Sequence, residues 1–313
     1  MGPGSKSHPK GEPGPDYASA YGCLCLGALA AVAAAAATAQ TQPQYPVKSI
    51  RLIVPFAAGG SSDFTARTLA HRISASWGQQ VVVDNRAGGT GVIGVQLVAK
   101  SAPDGYTILF ASSSTFATAP ALNPNLPYDP VKDFAPISLV VLGPNVLTAH
   151  PSLPVQSLKD LVQLAKAKPG QITYASPGIA TASHMAGVLF VRGAGIDLLH
   201  VPYKGGALAV TSAKRVSTIP EVPTMAESGL PGYEVVQWFG LAAPAGAPRA
   251  VVTKFNQELL AILANPDARE SLMKQGLEPV GSTPGEFAAH IKSELAKWTR
   301  VFKEMGLQGD QLR

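Results

Sequence analysis

Four stretches of this 313-residue chain concentrate residues able to hold an anion without a counter-charge. They are Ala57-Ala58-Gly59-Gly60-Ser61-Ser62, Ala87-Gly88-Gly89-Thr90-Gly91, Ser112-Ser113-Ser114-Thr115 and Ser176-Pro177-Gly178-Ile179-Ala180-Thr181. Glycine lets a ligand approach backbone N–H groups, and hydroxyls donate hydrogen bonds while adding no charge. Where such a loop runs into a helix, the first-turn N–H groups and the positive dipole end add to the same pull. Helix capping and tight turns use the same residue types, so each loop alone fits either role. Four of them at equivalent places favour a carboxylate site. The candidate ligand contacts are Phe56, Gly59, Gly60, Ser61, Ser62, Gly91, Ser112, Ser113, Ser176, Gly178, Thr181 and His184. His184 follows the fourth loop, where it either reaches a bound anion or serves as a satisfied structural histidine.

The elements before these loops must position them. Ile50-Arg51-Leu52-Ile53-Val54 is a short apolar run ended by Pro55, which predicts a strand. Val81–Val83, Thr107–Phe110, Ile172–Ala175 and Leu198–Val201 predict further strands. Phe64–Trp77, Val92–Lys100 and Leu158–Lys168 carry helical spacing, the last stopped by Pro169-Gly170, and helices dominate from Arg249 onward. Strands alternating with helices predict an α/β fold of mostly parallel sheets flanked by helices. In such sheets ligands bind beyond the carboxyl ends of the strands, where these loops fall.

Other chemistries lack their residues. A charge of +5 without a dense Lys/Arg block argues against nucleic acid as partner. Gly89-Thr90-Gly91-Val92-Ile93-Gly94 fits the dinucleotide pattern, but the next strand ends Phe110-Ala111-Ser112 with no acidic residue for a ribose. There is no Gly-x-Ser-x-Gly elbow, no His-Glu-x-x-His and no Walker loop. His71, His150, His184, His200 and His290 lack metal-ligand spacing. The chain is therefore expected to use no cofactor and no metal, and to bind rather than catalyse.

The N-terminus carries a targeting signal. Leu24–Ala37 is an apolar run of signal-peptide length, followed by the small residues Ala37-Thr38-Ala39. Residues 1–39 are read as a signal peptide cut before Gln40, which sends the mature chain to the periplasm. An uncut signal anchor is the competing reading, and Met1–Tyr21 is longer and less basic than an ordinary leader start. Both cysteines, Cys23 and Cys25, leave with the leader, which excludes disulfides and thiolate chemistry from the mature chain. At 313 residues with 46% apolar content, two packed domains are expected.

Read together, several motifs carry a family resemblance. They are Ile53-Val54-Pro55-Phe56-Ala57-Ala58-Gly59-Gly60-Ser61-Ser62-Asp63, the Val83–Gly94 segment, Pro103-Asp104-Gly105-Tyr106-Thr107 and Tyr174-Ala175-Ser176-Pro177-Gly178. His200-Val201-Pro202-Tyr203-Lys204-Gly205, Ile219-Pro220-Glu221-Val222-Pro223-Thr224, Gly229-Leu230-Pro231-Gly232-Tyr233-Glu234 and Trp238 with Ala243-Pro244-Ala245-Gly246 follow in order. The chain resembles the substrate-binding proteins of tripartite tricarboxylate transporters, the Bug-type receptors. That resemblance implies a two-lobed periplasmic binding protein of the type II class, closing over a small organic anion. The solute classes it admits are di- or tricarboxylates, acidic amino acids and aromatic acids, with delivery to a membrane permease. Backbone amides, hydroxyls and ordered water from the loops above would hold the carboxylates. Lobe one is expected to combine residues 45–143 with 240–313, lobe two to hold 144–239, and the receptor to act as a monomer.

One departure stands out. After Tyr203-Lys204-Gly205-Gly206 the relatives continue through a helix, a strand bearing an acidic residue and another helix, whereas here Gly206 runs directly into Ala207-Leu208. The expectation is that Leu208–Thr211 pairs in lobe two, leaving a smaller lobe, a wider cleft and weaker anion binding. A periplasmic enzyme on the same fold and a paralogue that has lost binding are the alternative readings.

Overall fold

The computed structural model describes residues 1–2, 45–174, 181–200, 206–212, 214–215 and 219–306, and the elements below all lie in the unit Pro46–Arg313. The first half runs β1 (Ile50–Val54), α1 (Ser61–Trp77), β2 (Val81–Asn85), α2 (Val92–Ala99), β3 (Thr107–Ser112), α3 (Ala119–Leu122), β4 (Phe134–Pro144) and β5 (Val146–Ala149). It continues α4 (Leu158–Ala167), β6 (Thr173–Tyr174), α5 (Ala182–Ala194), β7 (Leu199–His200), β8 (Gly206–Val210), β9 (Val236–Pro244), α6 (Arg249–Ala264), α7 (Pro266–Met273), β10 (Glu278–Pro279) and α8 (Pro284–Glu304).

The apolar run of β1 makes it a strand covered on both faces, and Ile50, Leu52, Ile53 and Val54 are all buried. It pairs in parallel with β2 on one side and β3 on the other, with Ile50 opposite Val81 and Leu52 opposite Ile108. α1 and α2 make the two crossovers. Across the β1–β2 pair the Arg51 guanidinium meets Asp84, whose other oxygen lies 2.9 Å from Arg86.

The large sheet has the order β10-β4-β9-β3-β1-β2 and is mixed, where mostly parallel pairing was expected. β9 is antiparallel to both β3 and β4, and β10 is antiparallel to β4. The reason lies in chain path. β9 returns from the second half of the chain and inserts between β3 and β4, so it runs against strands laid down on the outward path.

Two interruptions fit this strand pair. Gly240 of β9 leaves room for Phe287 of α8, since a Cβ there would lie 2.3 Å from the Phe287 ring. In β4 the ladder shifts register between Pro136 and Ser138, as expected of a strand proline. The freed backbone groups find other partners: Asn256 of α6 donates to the Ile137 carbonyl at 2.9 Å, and Leu139 N–H donates to Ser282 Oγ at 2.9 Å.

A first core gathers Ile53, Val98, Leu109, Phe116, Trp238, Phe287 and Trp298 around this sheet. A second gathers Leu158, Leu161, Ala165, Ile172, Phe190, Ile196 and Met225. Around the second core β6 and β7 pair in parallel through the α5 crossover, and β5 pairs antiparallel with β8. Leu208, Ala209 and Val210 of the Leu208–Thr211 run fall within β8, and Thr211 just beyond the strand extends the contact by donating its N–H to Asn145 O at 3.0 Å. Tyr233 packs against both cores and donates its hydroxyl to Ala186 O at 2.6 Å. Among the described residues no helix is long and apolar enough to cross a membrane.

Candidate functional site

Phe56, Gly59, Gly60, Ser61 and Ser62 all fall between β1 and the first turn of α1. Asn85 anchors this loop by donating from Nδ2 to Phe56 O at 3.1 Å. Gly60 is the N-cap of α1 and provides no side-chain acceptor for the first-turn N–H groups. Ser61 is exposed, whereas Ser62 is buried. Asp63 adds a negative charge to this helix start, which would oppose an incoming anion, but the charge is occupied. Its carboxylate accepts from Gly59 N–H at 3.0 Å and lies 3.0 Å from Arg67 Nε. Burial pushes the Asp63 pKa up, yet the Arg67, Gly59 and Asn85 contacts outweigh it and hold the group below its ordinary value.

Gly91 meets the β3 loop directly. It has φ +95°, and a Cβ there would lie 2.7 Å from Thr115 Cγ2 and 3.4 Å from Pro55 O. The carboxyl end of β1, the β2 loop and the β3 loop therefore converge on Gly91. Thr90 beside it is the one non-glycine residue with positive φ among the described residues. Ser112 and Thr115 bond each other: Ser112 N–H donates to Thr115 Oγ1 at 3.2 Å, and Thr115 N–H to Ser112 Oγ at 3.3 Å. Ser113 differs. It is 2% exposed, and its hydroxyl has no hydrogen-bond partner among the described residues.

Thr181 and His184 form the start of α5. Thr181 is the N-cap, its hydroxyl accepting from His184 N–H at 3.2 Å, and His184 is buried. That bond gives Thr181 the capping role its residue type also predicted. Ser176 and Gly178 lie outside the described residues. Among those described, no group of three or more His, Cys, Asp or Glu is placed to hold a metal.

A polar knot joins the two cores, and the sequence reading passed over it. Thr211 is buried and donates to Val235 O at 2.6 Å, while Asn145 N–H donates to Thr211 Oγ1 at 2.8 Å. Ser183 of α5 donates to Asn145 Oδ1 at 2.7 Å. The chain crosses between cores at Asn145, Thr211 and Val235. One asparagine and one threonine satisfy the backbone where the ladders stop. No local pattern marks such residues, because what selects them is the crossing of three distant segments.

This arrangement has well-matched counterparts. The family model described as tripartite tricarboxylate transporter family receptor matches residues 65–208 and 206–307. Its two segments meet where Gly206 runs into Leu208. The chain is 37% identical over 300 residues to a UPF0065 protein from the tcbD-tcbE intergenic region of Pseudomonas sp. strain P51, covering 85% of this chain and 89% of the relative. It is 36% identical to protein BugT of Bordetella pertussis over 295 residues, covering 84% and 90%. Each alignment spans more positions than the share of this chain it engages, so the relatives carry residues with no counterpart here. Among solved structures, R. palustris Rpa4515 with adipate superposes with a TM-score of 0.80 at 33% identity, covering 84% of this chain and 99% of that one. The periplasmic binding protein BugD gives 0.77 at 37% identity with the same coverage. MatC from Rhodopseudomonas palustris with bound malate gives 0.75 at 28%, covering 82% and 99%. The fold is thus the two-lobed α/β fold of periplasmic solute-binding proteins, and the chain belongs to the tripartite tricarboxylate transporter receptor family.

Proposed function

We propose that this receptor captures a small carboxylate-bearing organic anion in the periplasm and passes it to the membrane permease of a tripartite tricarboxylate-type transporter. The observation that carries the reading is Ser113. A buried hydroxyl without a partner costs about 1–3 kcal/mol, and a bound acceptor removes that cost. A carboxylate oxygen is such an acceptor, and the uncapped N–H groups at Ser61 and Ser62 suit a second one. Relatives solved with adipate and with malate support the class, since both are small dicarboxylates.

In this reading lobe one comprises residues 45–143 and 240–313, lobe two comprises 144–239, and the Asn145–Thr211 knot is their hinge. Phe56, Gly59 to Ser62, Gly91, Ser112 and Ser113 contact the solute from lobe one. Ser176, Gly178, Thr181 and His184 close over it from lobe two. The solute leaves unchanged, and one copy of the chain suffices. Residues 1–39 are removed on export; mass spectrometry of the exported protein is expected to find Gln40 at or near the start, and residues 1–39 intact in the membrane would contradict this. A thermal-shift screen over dicarboxylates, tricarboxylates, acidic amino acids and aromatic acids tests the capture. Stabilisation by members of one class is expected, and a flat response to all four would overturn it.

A further inference from the structure

The turn that follows Ser113 is wider than an α-helix, and the sequence explains why. Across Ser114–Thr118 the Ala119 N–H reaches back to Ser114 O, five residues away. The next N–H in that pattern would serve Thr115 O, but position 120 is proline and has none. Thr115 is fully buried, so its carbonyl needs a donor from elsewhere. Tyr128 supplies it, donating its hydroxyl to Thr115 O at 2.8 Å.

Tyr128 is held to this task. It is buried, its ring stands edge-on to Phe134 at 6.4 Å, and Phe134 packs against Phe116 of the same turn at 4.9 Å. The loop carrying it is folded by Asp133, which accepts from Asp129 N–H at 2.7 Å. Burial pushes the phenol pKa up, which favours the protonated hydroxyl that donates this bond. Thr115 in turn holds Ser112 through its hydroxyl and lies under Gly91 through its methyl.

We infer that Tyr128 is a positioning residue for the anion site: its bond to the Thr115 carbonyl sets where the Ser113 hydroxyl stands. The inference rests on Ser113 being a solute contact, and its test separates the two claims. Tyr128→Phe keeps the ring and removes one hydrogen bond. In titrations of the full chain with adipate and malate, Y128F should weaken binding about three- to tenfold. Ser113→Ala should weaken it as well, and Y128F added to S113A should cost no more than about a further twofold. A tyrosine acting on stability alone would lower Tm and leave the affinity of Y128F unchanged, and one acting independently of Ser113 would give additive affinity losses; either result overturns the inference. Hydrogen exchange of the unliganded protein gives a readout independent of any solute. Y128F should speed exchange across 114–119, and unchanged exchange there overturns the inference. Faster exchange in Y128F, found together with a wild-type chain that binds no member of the four solute classes, would instead overturn the carboxylate reading, and the anion-site role with it.

Discussion

Replacing Gly91 with alanine should cost about 2–5 kcal/mol, and two separable effects make up the loss. The first is backbone conformation: at φ +95° an L-residue pays roughly 1–2 kcal/mol that glycine does not. The second is steric. The new Cβ would sit 2.7 Å from Thr115 Cγ2, and overpacking of this kind costs about 1–3 kcal/mol. Thr115 has little freedom to yield, because its hydroxyl engages Ser112 and its carbonyl accepts from Tyr128. Thr115→Ser removes the clashing methyl and keeps the hydroxyl. In urea denaturation, G91A should therefore be less costly in the T115S background than in the native one by about 1–3 kcal/mol, the steric share alone. An equal cost of G91A in both backgrounds would refute the claim that the Gly91–Thr115 approach governs this corner of the site.

Three further outcomes follow from other parts of the structure. Asp63→Asn removes the charge that binds Gly59 N–H and Arg67; a stability loss of about 1–3 kcal/mol with weaker solute binding is expected, and an unchanged denaturation midpoint would contradict it. Gly240→Ala places a Cβ 2.3 Å from the Phe287 ring and 2.7 Å from Ser138 O, so chemical denaturation should show a loss of at least about 1–3 kcal/mol, and a neutral result would show that α8 can shift. Burial holds the His290 imidazole below its ordinary 6.5 despite the opposing pull of Glu294, with Lys297 adding to the depression. The unfolded chain then binds more protons just below that value, so stability present above it is lost as pH falls. His290→Phe should flatten the Tm against pH profile in that range, and identical profiles would rule out this histidine as the cause.

The outward half of the fold was legible because its residues obey local rules. Ile50–Val54 became β1 with those bounds, and the periodic segments near Phe64, Val92 and Leu158 became α1, α2 and α4. Strand direction was not legible. The ladder between Phe134–Pro144 and Val236–Pro244 shifts register between Pro136 and Ser138 and again between Leu139 and Val141, and its antiparallel pairing depends on where β9 is inserted rather than on any period. At the site, the glycine-rich and hydroxyl-rich loops were visible as composition. The roles of their members were not: Ser112 and Thr115 satisfy each other, Thr181 caps a helix, and among the described residues of those loops Ser113 alone has a buried hydroxyl without a partner. Tyr128, Asn145 and Thr211 were invisible because each answers a backbone group orphaned far away in sequence. The junction at Gly206 was visible only against the motif order, and the family match divides at that place.

Carboxylate capture is the central claim, and isothermal titration of the purified chain with adipate and malate tests it most directly. The measurement runs beside a version carrying, after Gly206, the segment found in the relatives. Saturable single-site binding is predicted in both, tighter in the restored version because lobe two then closes fully over the solute. The absence of saturable binding in either protein to these acids, and likewise to a tricarboxylate, an acidic amino acid and an aromatic acid, would contradict the account.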